Sequence, residues 1–284
     1  MQTVRAYYYL TKPGIIFSNV IAAFAGFLLA SSWNIDLWLL FATLGGVGFI
    51  IASACVVNNY LDRHIDAHMV RTKKRATVSG SISPSRIISF AVVLGGVGFG
   101  LIFLTNLVTF YMGIVAYIMY VAVYGYFKRT SVHGTLVGSI SGALPPVAGY
   151  TAVTNQIDVA AVILFIILAA WQMPHFYAIS MFRRDDYKKA KIPVLSVVKG
   201  MRATKRQIVA YIVVLALVAP LLTVTGYAGT TYLIIAIGAP LTWLFIGYKY
   251  RALPDLKWAR KMFFNSLWVL LILCFAIATG SMVA

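Results

Sequence analysis

Long apolar runs alternate with short polar segments along almost the whole chain. The runs fall at about 14–31, 37–58, 87–105, 107–127, 134–153, 158–182, 208–225, 230–248 and 262–283. Each is close to the ~20 residues a helix needs to cross the hydrocarbon of a bilayer. The third and fourth runs meet at Thr105-Asn106, which predicts a tight hairpin there. No ten-residue alternating pattern recurs, so a transmembrane barrel is excluded. The pattern predicts an all-α, polytopic bundle of nine transmembrane helices, organised as a single membrane domain over residues 1–284 with no soluble module. Small residues within the runs (Gly45, Gly46, Gly48, Gly95, Gly96, Gly98, Gly138, Gly142) suit close helix packing. Lys12-Pro13-Gly14 reads as the entry to a retained first helix rather than the start of a cleaved leader.

Composition sharpens this picture. Of the 284 residues 61% are hydrophobic and only 11% are charged, against about 25% charged in a soluble domain. The two cysteines, Cys55 and Cys274, lie in separate apolar runs and suggest neither a disulfide framework nor a metal motif. The net charge of +17 would suit nucleic-acid binding if it were spread over one soluble face, but it is not. Every one of the 24 Lys and Arg residues lies before the first run or in the second, fourth, sixth and eighth connections; the connections around Asn34, Asn106, Asn155 and Gly226 hold none. Nine spans place all of them on one side, which the positive-inside rule makes cytoplasmic.

The chain has no Glu and only seven Asp, so each carboxylate needs a reason. Asn58, Asp62 and Asp66 stand at i, i+4 and i+8 where the second run meets the basic side, and so share one helix face. Two carboxylates this close repel unless a cation lies between them. Magnesium takes oxygen ligands and completes its shell with water and phosphate, so the array suits a Mg2+–diphosphate complex. Arg71, Lys73, Lys74 and Arg75 follow, a cluster equally suited to lipid headgroups and to diphosphate. Tyr124 and Lys128 share a face at the end of the fourth run, where Lys128 can either snorkel or neutralise phosphate. Pro145-Pro146 predicts a kink in the fifth helix, with freed carbonyls that must be buried or line a cavity. Gln172 and His175, in Trp171-Gln172-Met173-Pro174-His175-Phe176, line a site or bridge two helices. Asp185 and Asp186 open the large sixth connection. His64 and His68 have zinc-like spacing but no third ligand.

Together these residues resemble the intramembrane prenyltransferase superfamily. Asn58, Asp62 and Asp66 match its NxxxDxxxD motif, Arg71 and Arg75 an RxxxR pattern, and Tyr124 and Lys128 a YxxxK motif. Within it the chain is most similar to the heme O synthase branch, through Leu10-Thr11-Lys12-Pro13, Gly142-Ala143-Leu144-Pro145-Pro146, the block at 171–176, and Asp186-Tyr187 followed by Ile192-Pro193-Val194-Leu195. The second DxxxD of the superfamily is incomplete, because Lys189 stands four residues after Asp185. The resemblance implies an active site at the cytoplasmic end of a central cavity. It implies Mg2+ on Asp62, Asp66 and Asn58, and diphosphate on Arg71, Arg75, Tyr124, Lys128 and Lys189. Heme B would contact His175 and Gln172, with Asp185 and Asp186 forming the second loop motif. It further implies transfer of farnesyl from farnesyl diphosphate to the heme 2-vinyl group with addition of water. The partners it implies are the lipid bilayer and a heme-copper oxidase or a downstream heme-modifying enzyme, with no nucleic acid. The setting is the bacterial inner membrane.

Two rival readings differ in what they need. A quinone-type aromatic prenyltransferase would share the carboxylates but not the Pro145-Pro146 and 171–176 stretches. A secondary transporter would carry its charges near the midplane, whereas here they gather at one end of the bundle. The charge pattern gives a direct topological expectation. A reporter fused after Ala284 should lie on the periplasmic side and one inserted near Lys191 in the cytoplasm; a cytoplasmic reporter after Ala284 would contradict the nine-span count.

Overall fold

A computed structural model describes residues 2–280 of the chain. Among the described residues nine helices are long and apolar enough to span a membrane: Pro13–Ser31, Leu37–Leu61, Pro84–Phe103, Leu107–Thr130, Gly134–Thr154, Val159–Phe182, Gly200–Val224, Thr230–Lys249 and Asp255–Gly280. The chain is an integral, all-α membrane protein. Residues 281–284, which include the tip of the ninth apolar run and the C-terminus, lie outside the described residues.

Side chains on the uncharged side start three of the four even-numbered spans, the second, fourth and sixth. Asp36 Oδ1 accepts the N–H groups of Trp38 and Leu39, Asn106 Oδ1 that of Thr109, and Asp158 Oδ1 that of Ala161. The second carboxylate oxygen of Asp158 accepts the Tyr150 hydroxyl at 2.7 Å. Capping satisfies N–H groups that a helix start leaves open, which matters most where water is scarce. It accounts for two of the seven aspartates.

The structure departs from the apolar runs where charge begins. The seventh span starts at Gly200 rather than 208, and the ninth at Asp255 rather than 262. Arg202, Lys205 and Arg206 therefore lie on the first turns of a helix, and so do Lys257, Arg260 and Lys261. Hydropathy marks only the lipid-embedded part of a helix, while Lys and Arg are good helix formers in the flanking turns. The two extensions meet: Lys205 Nζ pairs with Asp255 Oδ1 at 2.7 Å and lies over the Trp258 ring. A further helix not evident in the hydropathy pattern, Gln2–Leu10, precedes the first span. Its end packs through Leu10 with Val56, Ile82, Ile87 and Ala91 of the second and third spans and their connection.

Two irregular spans shape the interior. The fifth divides at Ala143 into Gly134–Gly142 and Leu144–Thr154, with Pro145 and Pro146 in the first turn of the second half. Proline is tolerated there because first-turn N–H groups have no partner within the helix. The fourth contains a π-helical stretch, Met119–Tyr124, a wider turn that re-aims the side chains following it. The second and third spans pack closely, as do the first span and the second half of the fifth. The largest buried cluster joins residues of the first, fifth, sixth, seventh, eighth and ninth spans. Large exposed apolar residues such as Phe41, Val92, Tyr111, Leu217, Phe245 and Phe275 suit contact with lipid.

Candidate active site

The second span ends at Leu61, yet its hydrogen-bond pattern continues. Asp62 N donates to Asn58 O at 2.9 Å, and Asp66 N donates to Asp62 O at 2.8 Å. The i, i+4, i+8 line predicted from sequence therefore persists past the helix end. Asn58, Asp62 and Asp66 are only 3%, 1% and 2% exposed, which makes their partners decisive.

Those partners are cations from three other parts of the chain. Asp62 Oδ2 accepts Lys128 Nζ at 2.5 Å and its Oδ1 accepts Arg129 Nη2 at 3.0 Å. Arg129 also donates to the Leu61 carbonyl. Asp66 Oδ2 accepts Arg75 Nη1 at 2.5 Å, and the same nitrogen donates to Asn59 Oδ1 at 3.0 Å. Asn58 Oδ1 accepts Lys12 Nζ at 3.0 Å. Burial alone would raise the Asp62 carboxyl, but Lys128, Arg129 and Lys12 outweigh it and hold the group below the usual carboxylate range.

Lys12 and Arg129 were not singled out as site residues by the sequence pattern, and neither was Asn59. Lys12 stands on the left-handed turn before the first span, with φ of 54°, and forms no ion pair with any described carboxylate. Burial lowers its pKa to about 8, with Arg75 and Lys128 adding to the fall and Cys55 and Asp62 opposing it. Its signal in the sequence was a lysine directly before a helix-starting proline. Asn59 is fixed as well, because its Nδ2 donates to Leu10 O at 2.8 Å.

Lys128 is aimed by its helix. Tyr124 lies one turn before it, the ammonium sits 5.9 Å from the Tyr124 ring centroid, and Tyr124 stacks on Tyr120 at 5.6 Å. The fifth span permits this because Gly138 faces the ring: a Cβ there would stand 2.8 Å from Tyr124 Cδ2. One turn on, a Cβ at Gly142 would fall on Gln172 Oε1. Buried Gln172 donates from Nε2 to Leu168 O, within its own helix.

His175 bridges two helices. Its ring lies between Trp171, with centroids 5.1 Å apart, and Phe263, 4.9 Å away. Nδ1 is 2.7 Å from Ser266 Oγ, and that hydroxyl gives its proton to Phe263 O at 2.5 Å. Ser266 must therefore accept, so a neutral His175 carries its proton on Nδ1 and leaves a lone pair on Nε2. Nε2 has no protein partner among the described residues and is not sealed from its surroundings.

The remaining predicted residues stand apart from the ion-paired cluster. Arg71 and Lys189 are exposed and form no ion pair among the described residues. Asp185 is exposed, and Asp186 accepts the Val70 N–H. Tyr187 lies within electrostatic reach of the site. Burial and then Tyr124 push its phenol up, and Arg71, Lys128 and Arg183 oppose the rise.

The arrangement gathers four cations around two carboxylates. The surplus of positive charge suits a polyanion, and the oxygen-only donors Asn58, Asp62 and Asp66 fit a hard divalent cation. Among the described residues no three His, Cys, Asp or Glu side chains come together as a metal site. A metal here would complete its shell with ligand oxygens and water.

The UbiA prenyltransferase family matches residues 19–281. A protein from Chromobacterium violaceum named protoheme IX farnesyltransferase 2 is 49% identical over 268 residues, covering 93% of this chain and 88% of its own. The fold is shared with a solved structure described for digeranylgeranylglyceryl phosphate synthase, with a TM-score of 0.78, 18% identity and 99% of both chains covered. It is shared also with a UbiA homolog from Archaeoglobus fulgidus bound to GPP and Mg2+, with a TM-score of 0.72, 16% identity, and 96% of this chain and 99% of that one covered.

Lys12 supplies a prediction whose two arms have opposite sign. Removing a half-buried cation that lacks a carboxylate partner relieves desolvation cost, and would also remove a contact for phosphate if the site takes a polyanion. Lys12→Met should melt in detergent at a temperature no lower than the native chain. Its affinity for inorganic pyrophosphate should fall about tenfold, the scale of one charge-assisted hydrogen bond. Calorimetric titration and a melting curve on the same preparation measure both.

Proposed function

The chain belongs to the UbiA prenyltransferase family, and on that premise we propose that it is a protoheme IX farnesyltransferase, converting heme B to heme O with farnesyl diphosphate as donor. The observation that carries the acceptor is the 49% identity over 93% of the chain to a relative of that name. The observation that carries the donor is the excess of cations at the end of the second span. We further propose one catalytic domain over residues 1–284 in a bacterial inner membrane, with the N-terminus and basic loops cytoplasmic and the C-terminus outside. The product would pass to a heme-copper oxidase or another heme-modifying enzyme.

The chemistry assigns a task to each group. Asp62 and Asp66, assisted by Asn58, would hold Mg2+, as the Mg2+ and GPP of the Archaeoglobus homolog suggest. When bound, Mg2+ supplies charge that stabilises the departing diphosphate. Lys128, Arg129, Arg75 and Lys12 would exchange their present oxygen partners for diphosphate oxygens, lowering the cost of breaking the allylic C–O bond. Arg71 and Lys189 would reach the outer oxygens. The stacked faces of Tyr120 and Tyr124 would shield the farnesyl cation, since an aromatic face attracts positive charge. The terminal carbon of the heme 2-vinyl group adds to that cation. Water then captures the new cation beside the ring and loses a proton, leaving a hydroxyethylfarnesyl substituent. His175, with Nδ1 committed to Ser266, would present Nε2 to the heme, and Gln172 would pack at its edge. A second protein half-shell of carboxylates is not part of this assignment, because Lys189 stands where the second motif would continue.

Incubation of the purified protein with heme B, farnesyl diphosphate and Mg2+ should yield a heme heavier by one farnesyl and one hydroxyl group on mass analysis. Recovery of unmodified heme B alone would rule the assignment out. Asp62→Asn and Asp66→Asn should each lower turnover by roughly two orders of magnitude, the scale of removing a preorganised electrostatic partner. Full activity in both would refute the carboxylate assignment.

The two substrates should also separate by variant. Lys128→Met should raise the farnesyl diphosphate requirement and leave heme binding intact. His175→Asn keeps a donor where Nδ1 stands, so the bridge to Ser266 survives while Nε2 is lost. It should change the absorption spectrum of bound heme without lowering the melting temperature. An unchanged heme spectrum in His175→Asn would reduce His175 to a bridge between helices.

A further inference from the structure

Between the sixth and seventh spans the chain is anchored rather than loose. Arg184 Nε donates to Ser196 O at 3.0 Å, Ser196 Oγ donates to Ser180 O at 2.7 Å, and Ile192 N donates to Tyr187 O at 2.9 Å. Ser196 is fully buried. This segment is thus tied to the body of the sixth span, and it carries Asp186.

The loop that follows Asp66 is tied mainly at its base. Thr72 Oγ1 donates to Asp66 O at 2.9 Å, and Arg75 holds Asp66 and Asn59. Farther out, Met69 is buried at 4% exposure and anchors the turn, while Val70 beside it is 62% exposed and has no apolar packing of its own. The Val70 N–H donates to Asp186 Oδ1 at 3.1 Å, and among the described residues this is the one hydrogen bond between the two loops. Asp186 is surrounded in sequence by Arg183, Arg184, Lys188 and Lys189, yet forms no ion pair with any described cation. A carboxylate in so basic a segment that takes a backbone N–H instead is placed there by the fold. The residue after Val70 is Arg71, and the residue after Asp186 is Tyr187, which lies within electrostatic reach of Arg71, Lys128 and Tyr124.

We propose that Asp186 is a positioning residue rather than a metal ligand: by accepting the Val70 N–H it pins the 67–75 loop to the 183–192 segment and fixes Arg71 where it meets the diphosphate. The assignment rests on the diphosphate reading for its purpose, but its geometry stands without turnover. The carboxylate fixes the chain direction at Val70, so Arg71 enters the site without searching. An amide oxygen can accept the same N–H, whereas a methyl group cannot.

Asp186→Ala and Asp186→Asn in the full chain, purified in detergent, test this. Tryptic cleavage after Arg71, Lys73 and Lys74 should run about tenfold faster in Asp186→Ala, the scale of losing one hydrogen bond, and close to the native rate in Asp186→Asn. The farnesyl diphosphate KM should rise about tenfold in Asp186→Ala, with kcat far less affected, and should be restored in Asp186→Asn. Mn2+ binding in the presence of inorganic pyrophosphate, read by electron paramagnetic resonance, should be native in Asp186→Asn. If Asp186→Asn loses Mn2+ binding, Asp186 is a ligand and the proposal is overturned. Native cleavage in Asp186→Ala overturns it as well. Should the native protein fail to farnesylate heme, the proposed function falls, while the cleavage and Mn2+ measurements still decide the role of Asp186.

Discussion

Two carboxylates are buried to 1% and 2% exposure where an apolar helix ends, and the surrounding structure is arranged to make that tolerable. An ionised carboxylate withdrawn from water is costly unless paired and hydrogen-bonded. Asp62 is paired by the end of the fourth span, through Lys128 and Arg129, and Asp66 by the loop before the third, through Arg75. Lys12, from the turn before the first span, closes the ring on Asn58. Three widely separated parts of the chain are thus drawn to one face of one helix. The other aspartates are used differently. Asp36 and Asp158 start spans on the uncharged side, Asp255 ties the ninth span to the seventh, and Asp186 joins two loops.

Much of this was legible before any coordinates, because its causes are local. A span shows itself as an apolar run, and the nine runs coincide with the nine helices to within a few residues at most ends. The i, i+4, i+8 spacing of Asn58, Asp62 and Asp66 is a property of one helix, and so is the pairing of Tyr124 with Lys128. The irregularity at Pro145-Pro146 is local as well, since it depends only on missing N–H groups and ring sterics, though the structure divides the span at Ala143 where the sequence suggested a kink. What could not be read was the identity of cross-chain partners. Nothing near Lys12 in sequence announces Asn58, 46 positions away. Arg129 simply follows Lys128 in the sequence, and only the packing of the second and fourth spans sets it on Asp62. The seventh and ninth helices outran their apolar runs for a related reason: the flanking turns are stabilised by contacts such as Lys205 with Asp255, which hydropathy does not see.

His175 shows how a local motif can leave two roles open. The 171–176 block pointed to either a site residue or a bridge between helices; the structure shows the bridge, and on the proposed reading that bridge prepares a site residue. The bridge to Ser266 uses Nδ1 and, because Ser266 spends its proton on Phe263 O, it fixes which nitrogen is bare. A histidine held in one tautomer by a second group is a more defined ligand than a free one. The structural role therefore prepares the proposed chemical one instead of competing with it.

The surplus of cations also bears on how a metal and a diphosphate would enter such a site. Four positive side chains around two carboxylates leave a net positive field, which repels a free divalent cation in a region where little water screens it. The same field attracts a diphosphate, but a bare diphosphate would meet Asp62 and Asp66 as like charges. A diphosphate that already carries its cation meets neither objection. Its negative outer oxygens suit Lys12, Arg75, Lys128 and Arg129, and its cation suits the two carboxylates those side chains would release. Each exchange replaces one charge-assisted contact with another, so the buried groups never pass through an unpaired state. On the proposed reading, the oxygens that would take the metal and the cations that would take the diphosphate lie only 2.5 to 3.0 Å apart, so one complex can engage both sets.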